Sequence, residues 1–322
     1  MALKKCIVVT TINEPNQCLE AFSKMEGWDL IIVGDKKSPK EYRLKAKYLD
    51  ISEQEKLFLL FSGQMPFNHY CRKNLGYLYA VKNGYDIIGE SDDDNLPNEN
   101  WGKLPQAEKF STIVGPNYPN IYKEFTGQKI WPRGFPLDLI LLNEPHSKMD
   151  LPGKVLIWQG LADGDSDVDA VYRLIIKEDV FFDKNKTIVL KEKVLSPFNS
   201  QNTLWHKEAW PFLYLPHTVT FRYTDILRSF IAQFGIWSRG GHLGFMSPTV
   251  SSMQRNYHNQ LKDFSDEIPM YNSFYKVMDA LQSCNLTGRS DDLLLMYEAL
   301  VKNGVVAESE LDSISEWLKI IA

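Results

Sequence analysis

Apolar residues recur along the chain in two rhythms, one suited to strands and one to helices. Residues 6–11 form a short β-branched run, followed by the polar stretch INEPNQ, an amphipathic stretch at 19–25, and a second apolar run, WDLIIVGD, at 28–35. Strand, loop, helix, strand is the opening of a parallel α/β sheet. Such sheets bind ligands beyond the carboxyl ends of their strands. That directs attention to Thr10, Thr11, Asn13 and Glu14 after the first run, and to Asp35, Lys36 and Lys37 after the second. The spacing predicts a helix over 41–61. A second helix places Cys71, Leu75, Leu78 and Tyr79 on one face, capped by Asn68 and stopped by Gly84. It feeds a strand over 85–89. Residues 96–160, rich in Pro, Gly and aromatics, predict loops built over a site. Further strands are expected at 155–160 and 187–190, and a helix over 224–237. From about Lys262 the pattern is helical, over 273–281, 291–303 and 308–321, which divides the chain into 1–261 and a small helical appendage, 262–322.

At 322 residues and 44% hydrophobic content, the chain can fill a sizeable core. Lys and Arg total 36 against 41 Asp and Glu, a net charge of -5 that gives no general attraction to nucleic acid or anionic lipid. Any anionic ligand must therefore be held by local basic residues. Cys6, Cys18, Cys71 and Cys284 lack metal-site spacing and read as buried free thiols of a reducing compartment. The N-terminus has no signal-peptide pattern, and no run approaches the roughly 18 apolar residues of a membrane helix. The expectation is a cytoplasmic protein without a membrane span; its oligomeric state is open.

One stretch carries the clearest chemistry, GYDIIGESDDDN at 84–95. Carboxylates repel one another and stay clustered only if solvated, paired or bound to a cation. On a continuing strand Glu90, Asp92 and Asp94 would alternate onto one face. Two or three acids at a strand end suit a hard cation such as Mn or Mg; a solvated acidic turn is the bland alternative. The preceding helix carries Arg72 and Lys73, able to neutralise part of a metal-bound diphosphate, with Gly76 one turn on. An exposed basic helix face explains them equally well.

Other clusters are less specific. In GLADGDSDVDAVYRL, Asp163, Asp165, Asp167 and Asp169 alternate, but Val168 and Leu174 stand where a calcium loop needs Gly and Glu. These acids could instead face the hydroxyls of a sugar or cap a helix. Arg222, Asp225 and Arg228 follow at i, i+3, i+6; a carboxylate between two guanidiniums suits a salt bridge better than a general base. MQRNYHNQ supplies Arg255 and His258, able to clamp phosphate or add a metal ligand. There is no G-x-S-x-G elbow, P-loop, dinucleotide glycine motif or H-E-x-x-H zinc motif.

YCRKNLGYLYAVKNGYDIIGESDDDN and WQGLADGDSDVDAVYRL, followed by the stretch from Pro197 to Trp237, resemble the STELLO family of glycosyltransferases. SDDDN and RGFP more distantly resemble the reversibly glycosylated polypeptides, which include UDP-arabinopyranose mutases. Both resemblances imply a GT-A fold, an α/β Rossmann-like, mostly parallel central sheet flanked by helices. They also imply a nucleotide-sugar donor, a UDP-sugar by expectation, an acceptor hydroxyl on a glycan, hexosyl or pentosyl transfer, and Mn2+ or Mg2+ held by a DxD-type motif. Thr10, Thr11, Asn13, Glu14 and Asp35 would contact base and ribose. Arg72, Lys73, Asp92, Asp93, Arg133, Asp165, Asp167 and Arg255 would line the donor site. Asp92 and Asp94, with His258, would hold the metal, and Asp225 would fall where a catalytic base is often kept. The acidic motif departs from the family pattern, which leaves Glu90 with Asp92 as the rival metal pair. A nucleotide-sugar mutase, a non-catalytic scaffold of a biosynthetic complex and a nucleotide-sugar hydrolase are the competing functions.

Overall fold

The computed structural model describes residues 3–115, 117–142, 147–176, 178–252 and 259–322. The first half runs β1 (Lys5–Thr10), α1 (Gln17–Ser23), β2 (Asp29–Val33), β3 (Ala46–Leu49), α2 (Ile51–Gln64), α3 (Lys73–Lys82), β4 (Ile87–Ser91) and β5 (Asn95–Pro97). The second runs β6 (Phe110–Gly115), β7 (Ser147–Leu151), β8 (Val155–Gly164), α4 (Ala170–Ile175), β9 (Thr187–Leu190), β10 (Asn202–His206) and α5 (Thr224–Trp237). It closes with β11 (His242–Ser252), α6 (Gln260–Gln282), α7 (Asp292–Lys302) and α8 (Glu310–Ile321).

These strands join one sheet in the order β3-β2-β1-β4-β10-β8-β11-β9-β6-β7, with β5 paired to β11. From β3 to β4 the pairing is parallel. Residues 6–9 of β1 and 30–33 of β2 are buried because helices cover both faces of this part of the sheet, which is why they read as continuous apolar runs. β10 then lies antiparallel to both β4 and β8, and beyond it the sheet is mixed. An α/β sheet with a Rossmann-like half is consistent with the GT-A fold expected from the sequence.

α3 lies against β1 and β2 at Gly76. A Cβ there would sit 2.4 Å from Val8 Cγ1 and 2.7 Å from Val33 Cγ2. The glycine serves helix-to-sheet packing, not the approach of a ligand to the backbone. Gly76→Ala is expected to cost about 1–3 kcal/mol through overpacking, read as a lowered urea midpoint at unchanged m-value.

Two local expectations change. Residues 41–61 do not form one helix: the chain makes β3 first, and α2 starts at Ile51, where Asp50 accepts from the Glu53 N–H at 2.7 Å. Asn68 does not cap α3. Its φ is 56°, and the cap of the following 3-10 turn is His69, whose Nδ1 accepts from the Cys71 N–H at 3.1 Å.

The C-terminal helices share the main core. Trp317 of α8 is fully buried, 6.1 Å from the ring of Phe61 and 5.7 Å from that of Tyr214. The buried Glu310 carboxylate accepts from the Tyr214 hydroxyl at 2.5 Å and from the backbone N–H groups of His217 and Thr218 at 3.0 Å each. A boundary after residue 261 falls in the first turn of α6. Cys6, Cys18 and Cys71 are buried and Cys284 is half-buried, all as free thiols. Among the described residues no helix is long and apolar enough to cross a membrane.

Candidate functional site

β4 ends at Ser91, and the chain turns at once: the Asn95 N–H donates to the Asp92 carbonyl at 3.3 Å, and β5 pairs back onto β11. The strand alternation expected to align Glu90, Asp92 and Asp94 is therefore interrupted. Glu90 points into the core and is fully buried. Its carboxylate accepts from both terminal nitrogens of Arg228 at 2.8 and 2.9 Å, from Trp205 Nε1 at 2.9 Å and from the Tyr77 hydroxyl. With those donors in place Glu90 is a structural ion-pair partner, and the Glu90 with Asp92 alternative for the metal is set aside.

The three aspartates that follow are half-buried on one loop. Asp93 is fixed from β1: Thr11 Oγ1 and Asn13 Nδ2 both donate to its Oδ2, the latter at 2.8 Å, and Asn16 Nδ2 donates to its carbonyl at 2.7 Å. Asp92 is fixed from α3, where the buried Lys73 ammonium donates to its Oδ1 at 3.1 Å and to the carbonyls of Ser91 at 3.0 Å and Ser200 at 3.3 Å. Lys73 thus binds the acidic loop from behind. Neighbouring carboxylates on a short, braced loop are the ligand type that a hard divalent cation takes. Among the described residues no three His, Cys, Asp or Glu side chains converge as a metal cage, so a cation here would draw further ligands from water or phosphate oxygens.

Beside this loop lies a cavity of about 290 Å³ at the carboxyl ends of β1 and β2. One wall is Thr10, Thr11, Ile12 and Asn13; a second is Val33, Gly34, Asp35 and Lys37; Asp93 reaches in from the acidic loop. Of the remaining wall, 68–70 with Arg72 and Phe221, the sequence offers only Arg72 as a site residue and Asn68 as a helix cap. Asp35 joins two walls, since its Oδ2 accepts from the Asn68 N–H at 2.7 Å. Tyr70 stacks on His69 with ring centroids 5.6 Å apart and meets Phe221 edge-on at 4.6 Å. Burial lowers the His69 pKa to about 4, with His217 adding to the effect, so the imidazole is neutral at physiological pH. The signal that could have found His69 and Tyr70 is the aromatic grouping of Phe67, His69 and Tyr70 before the basic helix.

Other predicted residues fall elsewhere. Glu14 is exposed and outside the cavity lining. Arg72 reaches the wall, yet its guanidinium is buried and spent on Gln54 Oε1 at 3.0 Å, Ser62 Oγ at 3.1 Å and the Met65 carbonyl at 2.9 Å. Asp165 is paired with Arg173, Asp163 with Lys184, and Asp169 caps α4 through the Tyr172 N–H at 2.7 Å. The alternating acids are thus divided among separate structural partners. Arg255 and His258 lie outside the described residues.

Asp225 sits directly behind Tyr70. Its two oxygens face Arg133 Nη1 and Nη2, each at 2.9 Å, while Arg133 Nε and Nη2 hold Asp167 at 2.9 Å. The Tyr70 hydroxyl donates to Asp225 Oδ1 at 2.9 Å, and the Ser200 N–H to Oδ2 at 3.2 Å. Burial alone would raise the Asp225 pKa, but Arg133 and its hydrogen bonds hold it well below the usual carboxylate range. The guanidiniums expected to flank Asp225 pair elsewhere, Arg222 with Glu267 and Arg228 with Glu90. This geometry suits a brace for Tyr70 better than a proton acceptor.

No protein-family model matches the chain. Among curated proteins it is similar to "Probable glycosyltransferase STELLO2" of Arabidopsis thaliana, 29% identical over 82% of this chain and 37% of that protein. It is also similar to "Probable glycosyltransferase STELLO1" of the same plant, 28% identical over 98% of this chain and 44% of that protein. The chain thus spans less than half the length of these relatives. A solved structure of GalNAc-T7 with UDP, GalNAc and Mn2+ overlaps 98% of this chain and 56% of its own, at 10% identity and a TM-score of 0.37, too loose a likeness to carry an argument about the site. Over most of its length the chain is similar to these two STELLO proteins, the same family that its own motifs resemble.

Proposed function

We propose that this chain is a metal-dependent glycosyltransferase that moves a hexosyl or pentosyl group from a UDP-sugar to a hydroxyl of a glycan acceptor. The observation that carries the reading is the adjacency of cavity and acidic loop through Asp93, which lines one and belongs to the other. A nucleoside seated against Thr10, Thr11, Asn13 and Asp35 would bring its diphosphate to Asp92, Asp93 and Asp94. Asp92 and Asp94 would hold Mn2+ or Mg2+, whose charge would offset that developing on the nucleoside diphosphate leaving group. Thr11 and Asn13 fix the Asp93 side chain and Lys73 fixes that of Asp92, so little ordering is left for the moment of binding. Tyr70, His69 and Phe221 offer aromatic surface to the base. The glycosyltransferase names of the relatives support the same reading.

Calorimetry with UDP tests it. Binding is expected with Mn2+ and not without, and Asp94→Ala is expected to weaken both Mn2+ uptake and UDP binding by about tenfold or more, the loss of one charged ligand. No UDP binding with Mn2+ present, together with unchanged Mn2+ uptake by Asp94→Ala, would end the proposal. A second reading, a nucleotide-sugar-binding scaffold without catalysis, is favoured by the engagement of Asp225, Asp167 and Glu90 in ion pairs. It predicts UDP-sugar binding with neither transfer to glycan acceptors nor release of free sugar.

A further inference from the structure

A second cavity, of about 550 Å³, lies at the other end of α5 and shares no lining residue with the first. Asp225 stands at the start of that helix and Trp237 at its end, twelve residues or about 18 Å apart along the axis. Trp237, Phe234 and Tyr118 line the cavity. Their rings are held in place: Trp237 meets Phe234 at 4.9 Å, and Tyr118 meets Phe274 edge-on at 5.3 Å. Trp237 and Tyr118 remain partly exposed. Asn117, Glu192 and Lys193, all exposed, line its polar side together with Ser238 and Gln282.

This combination selects a ligand class. The acid and the amine are adjacent in the chain and opposite in charge, so the rim offers hydrogen bonds of both senses without a net charge to attract an ion. Fixed, partly open rings offer a flat apolar surface. A molecule with an apolar C–H face and a border of hydroxyls, each able to donate and accept, matches both parts. That is the chemistry of a neutral saccharide, and the volume lies within the range of small-ligand sites.

The backbone adds an independent mark. Lys193 has φ 70°, the left-handed region that glycine adopts without penalty and lysine does not. The turn is closed by the Val194 N–H donating to the Lys191 carbonyl at 3.0 Å, and the Leu195 N–H donates to the Asn117 carbonyl at 2.7 Å, which joins the two sides of the rim. A lysine kept at such a position lines the cavity at a conformational cost that glycine would not incur.

We propose that this cavity binds a neutral saccharide, with Trp237 and Tyr118 as stacking surfaces and Glu192 and Lys193 as hydrogen-bonding partners, at a site separate from the nucleotide cavity. The site stands without the glycosyltransferase reading, because none of its residues belongs to the acidic loop or its cavity.

The test is saturation-transfer NMR on the full chain with cellotriose, xylotriose, chitotriose and maltotriose at millimolar concentration. At least one of the four is expected to receive saturation, and Trp237→Ala is expected to weaken its binding by about three- to tenfold, the loss of one stacked ring. Lys193→Gly is expected to weaken binding while leaving the melting temperature unchanged or raised, since glycine accepts this backbone without strain. It decides the matter if Trp237→Ala does not fold. Asp93→Ala, and UDP with Mn2+, are expected to leave saccharide binding unaltered. Saturation of none of the four sugars, binding undiminished in folded Trp237→Ala or in Lys193→Gly, or displacement by UDP would each overturn the proposal. Calorimetry with UDP reports on the nucleotide site separately, so either site can fail alone.

Discussion

Replacing Glu90 by alanine is expected to destabilise the protein by about 3–5 kcal/mol, the cost of stranding a buried charge. Arg228 is fully buried and donates two hydrogen bonds to Glu90, and Trp205 Nε1 donates a third. Without the carboxylate the guanidinium would remain in the core between β4 and α5 with its charge uncompensated. Urea unfolding measures the effect, and Mn2+ titration of the folded protein should be unchanged. Adding Arg228→Met should recover part of the loss, because removing both partners of a buried pair is often nearly neutral. A stability change below about 1 kcal/mol, outside the range for a stranded buried charge, accompanied by lost Mn2+ uptake would return Glu90 to the metal site.

Arg133→Ala is expected to have an effect of similar size, about 3–5 kcal/mol at neutral pH, because it strands two carboxylates at once. Both Asp167 and Asp225 are buried against the same guanidinium. The pH dependence distinguishes this loss from simple truncation. In the parent protein the folded-state pKa of Asp225 lies below its unfolded value, so its contribution is present above about pH 4 and is lost as pH falls through the folded pKa. In the variant, burial acts without the cation and raises the folded pKa above about 4, so stability falls as pH rises through that value. The gap between the two proteins should therefore be widest near pH 7 and narrow toward pH 4. Melting temperatures across that range measure it, and a constant gap would contradict the ionic origin. Loosening of Tyr70 should also weaken UDP binding, since Tyr70 donates to Asp225 and lines the cavity.

The parts of the site legible in the sequence were those fixed by neighbours in the chain. Thr10, Thr11, Asn13 and Asp35 follow apolar strands, and the acids of 92–94 follow another, so a sheet that buries those strands must gather them at one edge. The helix at 224–237 was legible over its full length because its apolar residues recur through four turns. Residues 41–61 were misread because β3 is a short four-residue strand without a clear alternation.

What the sequence alone determined, then, is the α/β order, the edge of the sheet at which the candidate site residues gather and the acidic run that follows one of its strands. Only the tertiary structure decided which charged groups are free to act. Glu90 and Arg228 are 138 residues apart, Arg133 and Asp225 92, and Arg72 and Gln54 18, yet each pair is joined by hydrogen bonds in the interior. Burial makes an unpaired charge so costly that every such group must find a partner. The identity of that partner depends on which elements the fold brings together, and no local pattern of spacing contains it.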